Sequence, residues 1–366
     1  MNTLARPPES GTTRQTDMER LAALGESAIA EWMRGEGQPK FRARQVLDWI
    51  FREWTLDPEK MSNLPKALRK RLGEAFACGT CRVAERLAAA DGTVKLLVEL
   101  ADGETVECVV LPAARGRAAF CLSTQVGCPV GCRFCASGAD GLIRDLTAGE
   151  IIETMILCCG ELGDRPDNIV LMGSGEPLMN LDNVLPALDA FTDPERFGMA
   201  RRRITVSTSG WTKGVDRLAR EAGQCNLAVS LHGPDDETRA KLIPKRSRRP
   251  IREILEACER HRDAAKRMTT FEYVLIKGLN DSDDQAARLA EIARRHRAKI
   301  NLIPYNETGD QRFARPEKGR IDSFFKILVD SGARATLRVE RGSEIAAACG
   351  QLRRRRLAGE AASQTP

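Results

Sequence analysis

The amino-acid sequence predicts an α/β protein: a partial or complete βα barrel, preceded by a small N-terminal helical domain and a β-meander. Three patterns support this fold class. Apolar residues recur at helical spacing early in the chain, two Asp-Gly turns then separate short Val- and Leu-rich runs, and strand and helix patterns alternate from residue 118 onward. Repeated βα units form parallel sheets, and six or more of them fit a barrel, whose reactive groups lie at the carboxyl ends of the strands.

The same patterns divide the chain into segments. The stretch FRARQVLDWIF, residues 41–51, has the helical spacing of an accessory domain, and the turns Asp91-Gly92 and Asp102-Gly103 define the meander. The predicted segments are a disordered lead (1–17), the helical accessory domain (18–81), the antiparallel meander (82–112), the barrel (113–350) and a basic, then polar tail (351–366).

The barrel segment alternates short apolar runs with helical patterns. The predicted strands cover residues 119–124, 168–173, 203–208, 226–232, 269–278, 299–304 and 335–339. The helices predicted between them include residues 148–159, 251–264 and 284–296.

The composition is that of a soluble globular protein, with 42% hydrophobic and 30% charged residues among 366. No apolar run approaches the roughly 18 residues that a membrane span needs, and the N-terminus has no apolar signal-peptide core. We therefore expect a cytoplasmic protein without a membrane partner. In that compartment the tightly spaced members of its 12 cysteines favour metal binding or catalysis over a disulfide framework.

Basic residues are grouped rather than scattered. The net charge of +6 is the difference between 57 basic and 51 acidic residues, so it matters only where basic residues cluster. Each cluster alone is more simply a solvated helix end, but together they favour a polyanionic partner. The clusters are residues 69–71, 201–203, 245–249, 294–295 and 353–356.

Three cysteines lie within eight residues, in Cys128-Pro-Val-Gly-Cys132-Arg-Phe-Cys135, just after the first barrel strand. A loop of this length can hold three corners of one [4Fe–4S] cube. A fourth cysteine at matching spacing is missing, which would leave one iron open to a small molecule. A structural zinc site is the alternative, but such sites close with four ligands, and no histidine lies near the motif.

The end of the second barrel strand, Met172-Gly-Ser-Gly-Glu-Pro177, is Gly-rich, which lets backbone groups approach a ligand. The cysteine spacing and this Gly-Glu-Pro sequence resemble the radical S-adenosylmethionine (SAM) superfamily. The resemblance implies a [4Fe–4S] cluster on the three motif cysteines, with SAM chelated by the open iron. It also implies that Gly175 and Glu176 contact the amino group of SAM, which one electron cleaves to methionine and a 5′-deoxyadenosyl radical.

Five further motifs narrow the resemblance. They are Phe120-Cys121-Leu-Ser-Thr-Gln-Val-Gly-Cys128, Val206-Ser207-Thr-Ser-Gly210, Ser230-Leu-His232, Ile300-Asn-Leu-Ile-Pro-Tyr-Asn306 and Arg341-Gly-Ser-Glu-Ile-Ala-Ala-Ala-Cys349-Gly-Gln-Leu. Residues 30–352 resemble the dual-specificity RNA methyltransferases of the RlmN type, whose sister group is the Cfr type. The resemblance implies that SAM is contacted by Ser207, Ser230, Leu231, His232 and Asn306. The alternative for Ser207, Ser230 and Asn306 is that they only cap strand ends.

The resemblance also implies a mechanism with two more cysteines. Carbon 2 of adenine does not attack an ordinary SAM methyl group, so the methyl is first placed on the thiolate of Cys349. The deoxyadenosyl radical removes hydrogen from that methyl group, and the carbon radical adds to the ring and forms a protein–RNA adduct. A base takes the ring proton, and Cys121 attacks Cys349 to release the product and form a disulfide bond. The base is Glu107, in Glu107-Cys-Val-Val-Leu-Pro112, with Glu104 as the competing assignment.

Several alternatives stay open at this point. An adenine-C8 methyltransferase of the Cfr type needs the same cluster and cysteine pair. A radical SAM enzyme acting on a small molecule or protein would not need Cys349, and a non-catalytic zinc or iron–sulfur RNA-binding protein would not need the strand-end motifs. Ser174 replaces a family methionine, and residues 113–119 replace an acidic stretch, which leaves 23S rRNA, tRNA or another RNA as substrate. We expect a monomer that receives electrons from a flavodoxin or ferredoxin.

Overall fold

One mixed sheet runs through the part of the chain that the computed structural model describes, residues 18–112, 116–306 and 312–338. The strands are β1 (Arg82–Ala88), β2 (Val94–Glu99), β3 (Thr105–Pro112), β4 (Ala118–Cys121), β5 (Gln125–Gly127), β6 (Leu142–Asp145), β7 (Asn168–Leu171), β8 (Ile204–Thr208), β9 (Asn226–Ser230), β10 (Thr270–Leu275), β11 (Lys299–Pro304) and β12 (Arg334–Leu337). The helices are α1 (Glu26–Gly35), α2 (Phe41–Phe51), α3 (Lys66–Ala75), α4 (Ala148–Leu162), α5 (Leu181–Thr192), α6 (Thr212–Glu221), α7 (Asp236–Leu242), α8 (Ile251–Ala265), α9 (Asp283–Arg295) and α10 (Lys318–Asp330).

The sheet is a partial barrel. Its strand order is β1-β2-β3-β4-β7-β8-β9-β10-β11-β12, and the two edge strands are not paired with each other. Strand β4 and strands β7 to β12 run parallel, as the alternating pattern predicts. The carboxyl ends of β4 and of β7 to β11 therefore lie at one end of the barrel, which we call the mouth.

The predicted meander is confirmed, but it belongs to the barrel sheet. Strands β1, β2 and β3 pair antiparallel, with Gly92 (φ 80°) and Gly103 (φ 85°) in the two turns. Strand β3 then pairs antiparallel with β4, so that Val109 lies opposite Cys121. The meander thus extends the sheet on the side of the cluster loop rather than forming a unit of its own.

The two faces of the parallel strands differ in chemistry. Along β8 to β11, alternate residues belong to the main hydrophobic core that the helices cover, where burial of apolar surface stabilises the fold. The residues between them face the barrel interior and include Ser207, Ser230, Glu272 and Asn301. The fold therefore places several polar groups on the interior face, whereas the face that the helices cover is mainly apolar.

The N-terminal helices pack directly on the barrel. The guanidinium of Arg20 lies 3.2 Å from the carboxylate of Glu150 and 3.6 Å from that of Glu153, both on α4. The ring of Phe51, at the end of α2, meets Phe197 edge to face, with centroids 5.0 Å apart. The ion pairs and the aromatic contact hold the accessory domain on the barrel, and the buried apolar residues of both parts belong to one hydrophobic core.

Some predicted boundaries change where the chain leaves the sheet. The strand predicted at residues 119–124 ends at Cys121, and a short β5–β6 hairpin follows, with Gly127 at φ 78°. A Cβ on Gly127 would lie 2.0 Å from the carbonyl oxygen of Gly141, so only glycine fits there. The strand predicted at residues 299–304 is confirmed, and α5, α6, α7 and α10 complete the helical layer. In the described part of the chain, no helix is both long and apolar enough to cross a bilayer.

Asn280, which is fully buried, joins the mouth ends of β9 and β10. Its side-chain amide donates to the carbonyls of His232 (2.9 Å) and Val274 (2.7 Å), and its oxygen accepts from the N–H of Ile276 (2.7 Å). We expect Asn280→Ala to lower the free energy of unfolding by about 3 kcal/mol, measured by urea denaturation, because three buried backbone groups lose their partners. The control Tyr273→Phe removes one bond to the Asn280 carbonyl and should cost about 1 kcal/mol; equal costs would contradict this account.

Candidate active site at the mouth of the barrel

The three motif cysteines lie on one loop between β5 and β6, at the mouth, and are partly exposed. The backbone N–H groups of Val130 and Gly131 hydrogen-bond the Cys128 thiol, and the N–H of Cys135 donates to the carbonyl of Cys132 (3.1 Å). Backbone N–H groups that point at a sulfur stabilise it as a thiolate. The loop is therefore shaped to hold a negatively charged ligand sulfur.

The electrostatics of these thiols fit an iron–sulfur cluster. Burial raises the pKa of Cys128 to about 12 and raises the pKa of Cys132 well above its usual value, and the neighbouring thiols raise both further. A strong positive charge, such as iron ions would supply, favours the thiolate form of these groups. Among the described residues, no three Cys, His, Asp or Glu side chains lie close enough together to bind one metal ion. A [4Fe–4S] cluster does not need such a group, because each thiolate binds a different iron. The donor set therefore fits a [4Fe–4S] cluster.

A buried guanidinium lies beside this loop. Arg239, on α7, is fully buried and donates to the carbonyls of Ser209 (3.0 Å), Ser230 (3.2 Å) and Leu231. Burial lowers the pKa of Arg239 to about 10, and the nearby Cys132 thiol acts in the opposite direction. Arg239 therefore stays charged at neutral pH, ties the ends of β8 and β9 together, and adds positive charge next to a ligand sulfur.

The Gly-Glu-Pro strand end is tightly packed. Gly175 has φ 114°, and a Cβ there would lie 2.8 Å from Gln125 Cβ, so the position requires glycine. The Glu176 carboxylate accepts from the N–H (2.7 Å) and hydroxyl (2.8 Å) of Ser209 and from the N–H of Leu178 (3.3 Å). Burial raises the pKa of Glu176, and these donors oppose that shift. Because this carboxylate ties β7 to β8, backbone groups near Gly175 are the better donors and acceptors for a ligand.

The other predicted SAM contacts lie at neighbouring strand ends. Ser207 and Ser230 are half-buried on the interior face of β8 and β9, whereas the side chain of Leu231 is in the core, so only its backbone can meet a ligand. His232 has φ 56°, and its Nδ1 accepts from the N–H of Val274 (3.1 Å). Burial, aided by the charge of Arg239, lowers the pKa of His232 to about 3, so the ring is neutral. Asn306 follows β11 at the same end of the barrel.

Cys121 and Glu107 lie on one face of the sheet. Cys121 is 8% exposed on β4, opposite Val109 of β3, and Glu107 lies two residues along β3 on the same face. Glu107 as a whole is 5% exposed, and its carboxylate lies 2.7 Å from Lys95 Nζ of β2. Glu104, the competing assignment, lies in the turn before β3. The motif around Cys349 lies outside the described residues.

Sequence reasoning missed several interior residues. Glu272, on β10, is paired in register with Ser230 and Asn301, and its carboxylate accepts from the Asn301 amide (2.7 Å). Burial raises the pKa of Glu272 to about 7. Lys95 and Arg239 were missed in the same way. A charged residue inside an otherwise apolar strand, as in VKLLVE or TFEYVL, is the signal that could have found Lys95 and Glu272.

The basic clusters lie at different ends of the molecule. Residues 245–249 follow α7 on the mouth side, and the guanidinium of Arg246 lies 3.3 Å from the position of a Cβ on Gly131, in the cluster loop. Residues 201–203 precede β8 and residues 294–295 precede β11, so both clusters lie at the opposite end. The other two clusters are residues 69–71, on α3, and residues 353–356, outside the described residues.

Comparison with known proteins defines the class. The family model of the radical SAM superfamily matches residues 122–290, and that of the ribosomal RNA large subunit methyltransferase N-terminal domain matches residues 20–78. The crystal structure of a radical SAM methyltransferase from Sphaerobacter thermophilus is 41% identical, with a TM-score of 0.86, and the match covers 91% of this chain and 98% of that one. Fold and site thus define a radical SAM methyltransferase, whose cofactors are a [4Fe–4S] cluster and SAM.

Curated relatives define the family. Proteins named "Probable dual-specificity RNA methyltransferase RlmN" from Rhodopirellula baltica and Akkermansia muciniphila are 44% and 42% identical to this chain. The matches cover 90% of this chain and 89% of the first relative, and 96% of this chain and 97% of the second. The chain belongs to the RlmN family and is a SAM-dependent RNA methyltransferase. The resemblance inferred from the motifs is confirmed.

The cysteine loop generates a prediction about metal content. Anaerobically reconstituted protein should hold about four iron and four sulfide per chain, the content of one cube. Cys128→Ala, Cys132→Ala and Cys135→Ala should each lose the cluster and all SAM cleavage, as measured by iron analysis and 5′-deoxyadenosine formation. Cys258→Ala, which removes a buried thiol on α8, is the control and should keep both. One equivalent of zinc without iron in the wild type would contradict the cluster assignment.

Proposed function

We propose that this enzyme methylates carbon 2 of adenine in RNA and carries the methyl group on Cys349 before transfer. The observation that carries this proposal is the placement of Cys121 beside Glu107 on one sheet face, on strands that lead into the cluster loop. A thiol nucleophile and a carboxylate base at adjoining positions suit the removal of a proton and the release of a thioether adduct. Relatives named dual-specificity RlmN, and an N-terminal domain named for large-subunit ribosomal RNA, support rRNA and a second RNA such as tRNA as substrates.

The proposed steps use the chain's own residues in a fixed order. Cys128, Cys132 and Cys135 would hold the [4Fe–4S] cluster, which with SAM would supply a 5′-deoxyadenosyl radical and a one-electron acceptor for the adduct. The Cys349 thiolate first attacks the methyl carbon of one SAM, which releases S-adenosylhomocysteine. The radical then takes a hydrogen atom from the methyl group on sulfur, and that carbon bonds to adenine C2. Glu107 takes the C2 proton. The Cys121 thiolate then attacks the Cys349 sulfur, the sulfur–carbon bond breaks, and a proton completes the methyl group. A thiol reductant supplies two electrons to reopen the resulting disulfide.

The burial of these groups limits the form of the RNA. Cys121 and Glu107 are 8% and 5% exposed, so an adenine within a duplex stack would not reach them. We therefore propose an unpaired or flipped-out adenine as the substrate.

Two exposed cations, Arg133 in the cluster loop and Arg246 beside it, also suit an acidic electron donor of the flavodoxin or ferredoxin class. We propose that the enzyme is a monomer and that this donor reduces it.

The two cysteines should fail at different steps. Cys349→Ala should carry no protein-bound methyl group and form no cross-link, because the carrier is absent. Cys121→Ala should still be methylated on Cys349 and still cleave SAM, but should accumulate a protein–RNA adduct that survives denaturation. Mass spectrometry of protein and RNA, with Cys258→Ala as control, measures both and identifies the methyladenosine isomer. Turnover by either variant would contradict the mechanism, and 8-methyladenosine from the wild type would contradict the target atom.

The position of the basic clusters generates a matched test of RNA binding. Lys245→Glu with Arg246→Glu should weaken RNA binding and reduce the slope of log K against log salt by about 1.5, because two phosphate contacts are lost at the mouth. Arg202→Glu with Arg203→Glu makes the same charge change at the opposite end and should leave binding unchanged. Filter binding across a salt series measures both, and iron content shows that the site is intact. Equal losses in the two variants would contradict an RNA interface at the mouth.

A further inference from the structure

A buried lysine stands beside the proposed base. Lys95 has no exposed surface and is the only lysine buried among the described residues. Its Nζ lies 2.7 Å from Oε2 of Glu107, and the two side chains are 0% and 6% exposed. The pair is therefore shielded from water, and its charges interact far more strongly than those of a surface ion pair.

Strand register places this pair next to the Cys121 thiol. Lys95 lies opposite Val109, and Val109 lies opposite Cys121, so Lys95 and Cys121 share a sheet face with Glu107. The hydroxyl of Ser123 donates to the Glu107 carbonyl (2.6 Å) and fixes β3 at that residue. The ammonium, the carboxylate and the thiol thus occupy neighbouring positions on three adjacent strands.

Stability alone does not account for the pair. Desolvation of two charges costs several kcal/mol each, and an apolar pair of similar volume in a sheet is often as stable or more so. A lone carboxylate at this depth would instead be driven toward its protonated form, which cannot act as a base. A cation in hydrogen-bond contact offsets that effect. A charged lysine is therefore useful at this position if the carboxylate must stay ionised.

We propose that Lys95 is a positioning residue for Glu107: its ammonium keeps the carboxylate ionised and oriented on the sheet face that carries Cys121. This inference rests on the proposed function. In the step concerned, the C2–H bond of the adduct breaks, its electron pair stays with the ring, and the proton moves to Glu107, while Lys95 keeps its own protons. Other titratable groups of the described residues near Glu107 include Cys121 on the same face, and Cys108 with Cys158 on the face toward α4.

Lys95→Met tests this directly in the full-length, cluster-loaded enzyme. The variant should keep its iron and its methyl group on Cys349, but should resolve the protein–RNA adduct about 100-fold more slowly at pH 7, because the base loses the cation that orients it and favours its charged form. Raising the pH should partly restore resolution, so the acid limb of the pH–rate profile should move upward, because a neighbouring cation favours the charged form of a carboxyl. Lys95→Arg keeps the charge and should retain the wild-type limb, whereas Glu107→Gln should accumulate adduct at every pH.

Arg20→Met is the matched control, because it removes a largely buried cation from Glu150 and Glu153 at the far side of α4. It should lower stability without moving the pH profile. A Lys95→Met enzyme that resolves adduct with the wild-type profile would overturn the inference. Should Lys95→Met not fold, Lys95→Gln, which keeps a polar donor but not the charge, decides in the same way. A wild type that forms no methyl-cysteine and no adduct would instead refute the proposed function.

Discussion

The antiparallel pairing of β3 with β4 is the constraint on which the rest of the site depends. It attaches the meander to the first parallel strand, and it places Val109 opposite Cys121. A shift of this register by one residue would turn Glu107 to the helical face, because side chains alternate along a strand. The pairing thus decides that a carboxylate and a thiol share one face at the mouth, although they come from segments with different folding patterns.

Buried polar groups at the mouth are held by several bonds each. The Glu176 carboxylate has three donors, Arg239 has three carbonyl acceptors, and Asn280 bonds three backbone groups. An unpaired buried polar group costs about 1–3 kcal/mol, so each of these bonds favours one arrangement of the strand ends. The result is a preorganised site, in which ligand groups meet backbone atoms whose positions are already fixed.

Much of this architecture could be predicted from the sequence, because its signals are local. The strand at residues 299–304, the helical accessory domain and the Asp-Gly turns all follow from short-range pattern and turn chemistry. The placement of Glu107 on the same sheet face as Cys121 could not be predicted, because it depends on strand register between distant segments. Arg239 could not be found for a similar reason: its partners lie at the ends of two strands that only the fold brings together.

The location of the basic clusters also could not be predicted from the sequence. In sequence, residues 201–203 and residues 245–249 are equivalent runs of positive charge. Only the βα topology separates them. Residues 201–203 directly precede β8, so they lie at the amino end of the parallel strands. Residues 245–249 follow β9 and the short helix α7 and precede α8, the helix that leads back toward the start of β10, so they lie at the mouth. Composition can therefore indicate a polyanionic partner, but the chain connectivity decides which cluster can meet it.

Ser174 connects the strand that carries Glu107 to the cluster loop. Its N–H donates to the Ser123 hydroxyl (2.9 Å), which itself donates to the carbonyl of Glu107 (2.6 Å). The Ser174 hydroxyl donates to the carbonyl of Gly127 (3.0 Å), the residue before the first cluster cysteine. One buried chain of hydrogen bonds thus runs from the strand of Glu107, through the end of β7, to the cluster loop. Because buried hydrogen bonds in series have little freedom to shift independently, this chain fixes Glu107 and the cluster loop relative to each other.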